Sequence, residues 1–262
     1  MNGSPGTAEL ERLSTSGWRS GLSNLMGAAF GSWWRTRRWL IQTLLWTAVI
    51  NGSLAAVIWG EAPDELSVFT LFGVMTMFAA IAVIILMQEA IVGEKKSGTA
   101  AWVMSKPVSR PAFVLSKLVP NAVGVVVTML AIPAAVFAVQ VAAAGIDISV
   151  GRFALGASVA ALNLLFYLTL TLMLGTLFEA SAPVIAIPLA FAFGQQLFAG
   201  IPGLAAFLPW SLLVPTQGSD VSVVGAIAAG QPLPATGAII VTGLACVVFT
   251  AVAFWRFART EL

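Results

Sequence analysis

The sequence contains no histidine and a single cysteine, Cys246. Without histidine, the chain cannot form a catalytic system with a histidine base, a zinc site with histidine ligands or a haem site ligated by histidine. A single cysteine excludes an intramolecular disulfide. No G-x-x-x-x-G-K-[ST] phosphate-binding loop occurs either, which excludes the usual mode of nucleotide hydrolysis. We therefore expect no catalytic, metal or cofactor site within this chain.

Charge is also scarce. Only 9% of the 262 residues are charged and 59% are hydrophobic, with a mean hydropathy of +0.95. So few polar side chains cannot cover a soluble globule of this size, which indicates a membrane protein. The net charge of +2 is too small to favour nucleic-acid binding, so the lipid bilayer is the predicted partner and nucleic acid is not.

Long uncharged runs define the predicted architecture. A helix rises about 1.5 Å per residue, so about 20 apolar residues cross a hydrocarbon core of about 30 Å. Residues 18–262 are therefore predicted to form a single all-α polytopic domain, whereas the polar residues 1–17 are predicted to be a flexible cytoplasmic tail. Its six predicted transmembrane spans cover about 39–60, 66–90, 112–144, 153–178, 182–200 and 234–256.

Two further segments do not have the pattern of a simple span. Leu22, Leu25, Met26 and Phe30 have helical spacing beside several arginines, which favours an interfacial N-terminal helix; a simple basic flank of span one is the alternative. Between spans five and six, glycine and proline residues interrupt any continuous helix. We predict a broken outer segment there that is partly re-entrant or interfacial.

The basic residues predict the orientation. Twelve of the thirteen lie in the N-terminal region, in the segment after span two or at the C-terminal end, and only Arg152 lies in an opposite connection. Because cytoplasmic segments of membrane proteins are enriched in lysine and arginine, both termini and the segment after span two are predicted to be cytoplasmic. The expected location is the cell inner or plasma membrane.

The longest polar interruption runs from Gln88 to Lys117 and contains five basic residues. Within its loop, 91–110, Ser97 is predicted to cap a short helix that Pro107 ends, and Ser109 to begin the next helix, with Pro111 in its first turn. The helical spacing places four residues on one face of the short helix: Thr99, Trp102, Val103 and Lys106. The loop therefore has the shape of a basic amphipathic element that docks on something cytoplasmic.

The run G-E-K-K-S-G-T, followed by K-P-V-S-R-P and Lys117, resembles the first cytoplasmic loop of ABC-2-type ABC transporter permeases. The local match involves Glu94, Ser97, Gly98, Thr99, Pro107, Val108, Ser109, Arg110 and Lys117. Six spans, a basic N-terminal helix and an interrupted stretch before span six extend the resemblance to most of the chain. The sequence departs from the commoner family pattern at Lys95, Lys96 and Trp102.

The resemblance implies the membrane subunit of an ATP-driven exporter. The loop would be a coupling helix seated in a groove of a separate cytoplasmic ATPase subunit, which would bind ATP and magnesium, and a second permease copy would complete the pathway as a homodimer. The implied docking residues are Gly93, Glu94, Lys95, Lys96, Ser97, Gly98, Thr99, Trp102 and Arg110, with Glu179 in a second, smaller contact.

Three alternatives remain open from the residues alone. In the first, the loop is only a positive-inside anchor, with Trp102 in the interfacial aromatic belt. In the second, the whole chain is a non-transporting membrane anchor that recruits a cytoplasmic partner. The third alternative is an ion-coupled secondary transporter. An ion relay usually needs carboxylates at mid-membrane, whereas the acids here lie at span ends or in loops.

Polar residues within the spans are candidates for a transport pathway because they are costly in lipid. The candidates are Asn51, Asn163, Gln195 and Gln196. For each of them, hydrogen bonding between helices is the alternative role. The nearly uncharged spans favour an apolar or amphipathic substrate, such as a drug, a peptide antibiotic or a lipid.

Overall fold

A computed structural model of the chain describes residues 17–60, 64–198, 200–201, 203–216 and 219–259, and every regular element within these ranges is helical. We number the helices in chain order as follows: α1 (Leu22–Trp34), α2 (Arg38–Gly60), α3 (Glu65–Lys96), α4 (Thr99–Met104), α5 (Arg110–Ala143), α6 (Val150–Leu177), α7 (Ser181–Phe198), α8 (Trp210–Leu213), α9 (Val223–Ala229) and α10 (Thr236–Ala258).

Six of these helices, namely α2, α3, α5, α6, α7 and α10, are long and apolar enough to cross a membrane. The predicted all-α fold with six spans is therefore confirmed. Span two, at 32 residues, is longer than predicted because its helix continues past Glu89 to Lys96, whereas span three, at 34 residues, has almost the predicted length. Helix α3 begins at a side-chain cap, where Asp64 accepts from the Ser67 amide at 3.1 Å. The Ser67 side chain and then this amide hold the pKa of Asp64 below its usual range.

Spans two and three each contain one π-helical turn, Glu89–Gly93 in α3 and Val126–Ala131 in α5. Helix α5 runs through Pro120 and has its irregular turn further along, immediately before Pro133. Proline has no amide proton to donate to the preceding turn, and π turns inside α-helices accommodate such local breaks in the hydrogen-bond pattern.

Helix α6 is central, because α3, α5, α7, α9 and α10 all pack against it. An aromatic cluster joins it to spans two and three: Phe153 of α6 contacts Phe72 and Phe137, with ring centroids 5.1 and 5.6 Å apart. Such aromatic pairs contribute about 0.5–1.5 kcal/mol each beyond the area they bury. Helix α1 packs along the first half of α5.

The stretch between α7 and α10 is broken into short helices, as predicted, and it folds back against the spans. Ser211, Leu212 and Leu213 of α8 are buried, and so is most of α9, which packs on α6 and α3. Glycine permits the closest approach, because a Cβ atom at Gly73 would lie only 2.4 Å from the Leu213 carbonyl oxygen. Irregular backbone at membrane depth requires such protein cover for its polar groups.

Candidate functional site

The loop after span two begins later than predicted, because α3 continues to Lys96. Gly98 then adopts a left-handed conformation, with φ +72°, and α4 follows directly. The predicted capping role of Ser97 is wrong: Gly98 occupies the cap position, and the Ser97 hydroxyl donates to the Glu94 carbonyl at 3.2 Å. The physical reason is that Ser97 still belongs to the end of α3, before the chain reverses at Gly98.

The far end of the loop agrees with the sequence. Helix α4 ends at Met104, shortly before Pro107, and the Ser109 hydroxyl caps α5 by accepting from the Ala112 amide at 3.2 Å. Pro111 lies in the first turn of α5, where its missing amide proton costs nothing. The predicted start of this helix near Ser109, with Pro111 in its first turn, is confirmed.

Two of the predicted docking residues turn inward. The Lys95 ammonium donates to the carbonyl oxygens of Gly175 and Thr176, at 2.8 and 3.3 Å, in the last turn of α6. These carbonyls have no partner within their own helix, and a cation is favourable at this end of the helix dipole. Glu94 forms an ion pair with Lys117 of α5. The end of span two is thereby joined to spans three and four.

Two further basic residues connect the loop to the remaining spans. The Lys96 ammonium donates to the Ser181 hydroxyl at 2.9 Å, and Gln88 donates to the same oxygen at 2.8 Å, so the first residue of α7 accepts two bonds from α3. The Arg110 guanidinium donates to the carbonyl of Ala258, the last residue of α10. The loop is thus tied to spans five and six.

The residues before α1 contact the end of the loop. The Ser20 hydroxyl donates to the Pro107 carbonyl at 2.6 Å, and the Ser109 amide donates to the Ser20 carbonyl at 3.1 Å. Gly21, at φ +73°, lies so close to Val108 that a Cβ atom there would be 2.7 Å from the Val108 side chain. The loop therefore has direct bonds to the N-terminal segment as well as to spans three to six.

The opposite side of the loop is exposed. The Trp102 side chain is 61% exposed, and the Lys106 ammonium lies 3.4 Å from the centroid of its ring, a cation–π contact. The neighbouring predicted residues Ser97, Gly98 and Thr99 are also exposed, and so is Glu179 in the turn between α6 and α7. Gly93 lies within the π turn of α3.

The pathway candidates mostly bond to backbone. The Asn163 side chain donates to the Pro209 carbonyl at 3.1 Å, and Gln195 accepts from the Trp210 amide at 3.0 Å, so both hold the start of α8. Asn51 donates to the Pro133 carbonyl at 3.1 Å. Hydrogen bonding between elements, the alternative role, accounts for these three contacts. Gln196 is exposed on α7.

Sequence reasoning missed a cavity of about 690 Å³ between α1 and the loop ends of spans one, two and three, with Val103 of α4 also in its wall. Four charged residues line it: Arg38, Glu89, Glu94 and Lys117. The available signal was that all four stand at the ends of uncharged runs in three different spans.

The comparisons with known proteins decide the family. A sequence profile of the family described as "ABC-2 family transporter protein" matches residues 12–262. The chain belongs to the ABC-2 transporter family. This match includes α1 and all six spans of the ABC-2 protein, which confirms the resemblance stated for the loop. No curated protein sequence matches the chain.

Proposed function

We propose that this ABC-2 protein is the membrane subunit of an ATP-driven exporter, and that the exposed side of its loop docks on a separate cytoplasmic ATPase. The observation that carries the proposal is the two-sided loop: Trp102 is exposed on one side, while Lys95, Lys96 and Arg110 bond to three other spans on the opposite side. A force applied at Trp102 therefore reaches most of the bundle.

The exposed side has the chemistry of a protein contact. Tryptophan is enriched among the residues that dominate binding energy at interfaces, and Lys106 across its ring adds a positive charge beside it. We assign direct ATPase contact to Ser97, Gly98, Thr99 and Trp102, with Lys96 and Glu179 at the margin. Glu94, Lys95 and Arg110 instead position the loop, because their charged groups bond within the chain.

The rest of the assembly follows the family resemblance. ATP and magnesium bind in the partner ATPase, and a second copy of this chain completes the pathway. Closure of two ATPase subunits moves the two loops and rocks the two bundles between inward-open and outward-open states. The termini and the loop lie in the cytoplasm in this arrangement, in agreement with the distribution of basic residues.

The test is copurification with the ATPase. Replacing a dominant interface tryptophan by alanine removes about 2 kcal/mol or more of binding energy, so Trp102→Ala is expected to weaken ATPase association about 30-fold. Trp59→Ala is the matched control, because Trp59 is 86% exposed at the opposite end of α2. Association is measured by titrating the ATPase onto the purified, reconstituted protein.

The docking role is refuted if Trp102→Ala binds the ATPase as tightly as Trp59→Ala does. Transport is tested separately by ATP-dependent movement of amphipathic substrates in proteoliposomes. An assembled complex that hydrolyses ATP without moving any of them would favour the non-transporting anchor.

A further inference from the structure

The cavity between α1 and spans one, two and three lies at the depth of lipid headgroups. Arg38 is the first residue of α2, and Glu89 and Glu94 follow the uncharged run of α3. Lys117 directly precedes the uncharged run of α5. Because uncharged runs of about 20 residues fill the hydrocarbon core, these charges lie just outside it, on one side of the membrane.

The π turn of α3 gathers negative charge on one wall. In a regular α-helix, residues five apart lie about 140° from each other around the axis. The wider turn at Glu89–Gly93 brings Glu89 and Glu94 to the same cavity. A Cβ atom added to Gly93, the residue before Glu94, would lie 3.3 Å from the Oε1 atom of Glu89.

One acceptor on this wall has no partner. Lys117 pairs with Oε1 of Glu94, whereas Oε2 of Glu94 is buried and has no hydrogen-bond partner among the described residues. Glu89 presents a second, exposed carboxylate on the same wall, so this wall favours a ligand that carries a hydrogen-bond donor and a positive charge.

A cation stands elsewhere on the cavity wall. The exposed Arg38 guanidinium lies 6.0 Å from the centroid of the Trp33 ring, and Trp33 is fixed by a hydrogen bond from its indole to Asn121 at 3.0 Å. An exposed arginine at headgroup depth suits a phosphate, which its planar group binds through two parallel bonds.

The α3 wall of the cavity becomes apolar towards the bilayer centre. Ala82, Ile85 and Leu86 lie three to seven residues before Glu89 in α3, and Leu25 and Ala28 of α1 line the same space. Ile85 is 53% exposed, so this part of the wall is open towards lipid. Along α3 the polarity therefore changes from charged to apolar in the same direction as in a phospholipid, whereas Gln42 and Asn121 keep the other walls polar one turn beyond Arg38 and Lys117.

We infer that the cavity binds the headgroup of a phospholipid that carries a primary ammonium and a phosphate, such as phosphatidylethanolamine. The ammonium donates to the exposed Glu89, the phosphate meets Arg38, and the first acyl carbons lie along Ile85. The volume of about 690 Å³ falls within the range of about 300–1,000 Å³ usual for ligand pockets. Since Val103 lines the cavity, the bound lipid also supports α4.

The test is native mass spectrometry of the full chain, purified in detergent and offered phosphatidylethanolamine, phosphatidylcholine or phosphatidylglycerol. Only phosphatidylethanolamine has both a hydrogen-bonding ammonium and a phosphate, so the wild type is expected to retain about ten times more of it than of either other lipid, the effect of one charge-assisted bond. Equal retention of the three lipids would overturn the proposal.

Substitutions in the cavity lining test which residues cause the preference for phosphatidylethanolamine. Glu89→Gln is expected to lose most of the preference for phosphatidylethanolamine and to retain phosphatidylglycerol as before, whereas Arg38→Gln lowers the retention of all three lipids. The matched controls are Glu65→Gln, at the opposite end of α3 from Glu89, and Arg152→Gln, in the first turn of α6 and away from the cavity lining; both leave the preference intact. A Glu89→Gln protein that keeps the wild-type preference refutes the site.

The lipid panel on the wild type gives a result even where a variant does not fold, which size-exclusion chromatography detects. No ATPase is present in the experiment, so its outcome is independent of the docking proposal.

Discussion

The two ends of the bundle are held together in different ways. At the loop end, long charged side chains bond to the ends of neighbouring helices, as Lys95 does to α6 and Arg110 to α10. At the other end, the broken segment packs directly on glycines, as Leu213 does on Gly73. Long side chains can follow a displacement of the helices, whereas close-packed backbone cannot. The bonds of Lys95 and Arg110 are therefore suited to follow a movement of the helices, and the contact of Leu213 with Gly73 to remain fixed.

The largest loss of stability is expected where the backbone of one segment packs directly on the backbone of another. Gly73→Ala places a methyl group 2.4 Å from the Leu213 carbonyl oxygen, and such overpacking costs about 3 kcal/mol. The thermal unfolding temperature, measured in detergent, should fall clearly. Gly52→Ala is the control, because a Cβ atom there meets no other group within 4 Å. Equal unfolding temperatures for the two variants would contradict the rigid contact.

An intermediate effect is expected for Gln195→Leu. Gln195 donates to the Tyr167 hydroxyl at 2.8 Å and accepts from the Trp210 amide, so its loss leaves buried groups unpaired, at a cost of about 2 kcal/mol. The neighbouring Gln196→Leu is the control, because Gln196 is exposed and its replacement should leave the stability almost unchanged. If both changes lower the unfolding temperature equally, Gln195 does not hold α8.

The smallest effect on stability is expected at the loop end. Lys95→Met keeps the length of the side chain but removes its bonds to α6, which costs about 1 kcal/mol because the position is only half-buried. We expect ATPase binding to persist and transport per ATP to fall, since Lys95 positions the loop. Unfolding temperature, ATPase binding and transport are measured on the same preparation. A loss of ATPase binding, with transport per ATP unchanged in the remaining complexes, would instead make Lys95 a contact residue.

The spans and the start of α5 could be predicted from the sequence, because they depend on residues that lie close together in the chain. Six uncharged runs indicate six spans because charge is costly in lipid, and Ser109 with Pro111 indicates a helix start because both act on the first turn. The partners of Lys95 could not be predicted, since carbonyl groups at the end of α6 have no signature in the sequence. Asn163 and Gln195 illustrate the same limit, because their backbone partners lie in a distant segment.

Local reasoning also failed within the loop. A serine before a short helix is a common cap, yet Gly98, at a positive φ, takes the cap position of α4, and Ser97 instead caps the C-terminal end of α3. The π turn at Glu89–Gly93 was equally hidden, because no residue type there requires it. That turn decides that Glu89 and Glu94 line the same cavity, so the candidate lipid site depends on backbone geometry.

Helix α7 differs from the other spans in length. Its 18 residues measure about 27 Å, slightly less than a hydrocarbon core of about 30 Å, whereas the 32 residues of α3 measure about 48 Å. As the hydrocarbon core becomes thicker, α7 is therefore the first span that is too short to cross it, and such a hydrophobic mismatch has an energetic cost. The first residue of α7 is Ser181, whose hydroxyl accepts hydrogen bonds from both Gln88 and Lys96. The shortest span therefore carries, at its first residue, the hydroxyl that bonds the loop end of α3 to α7.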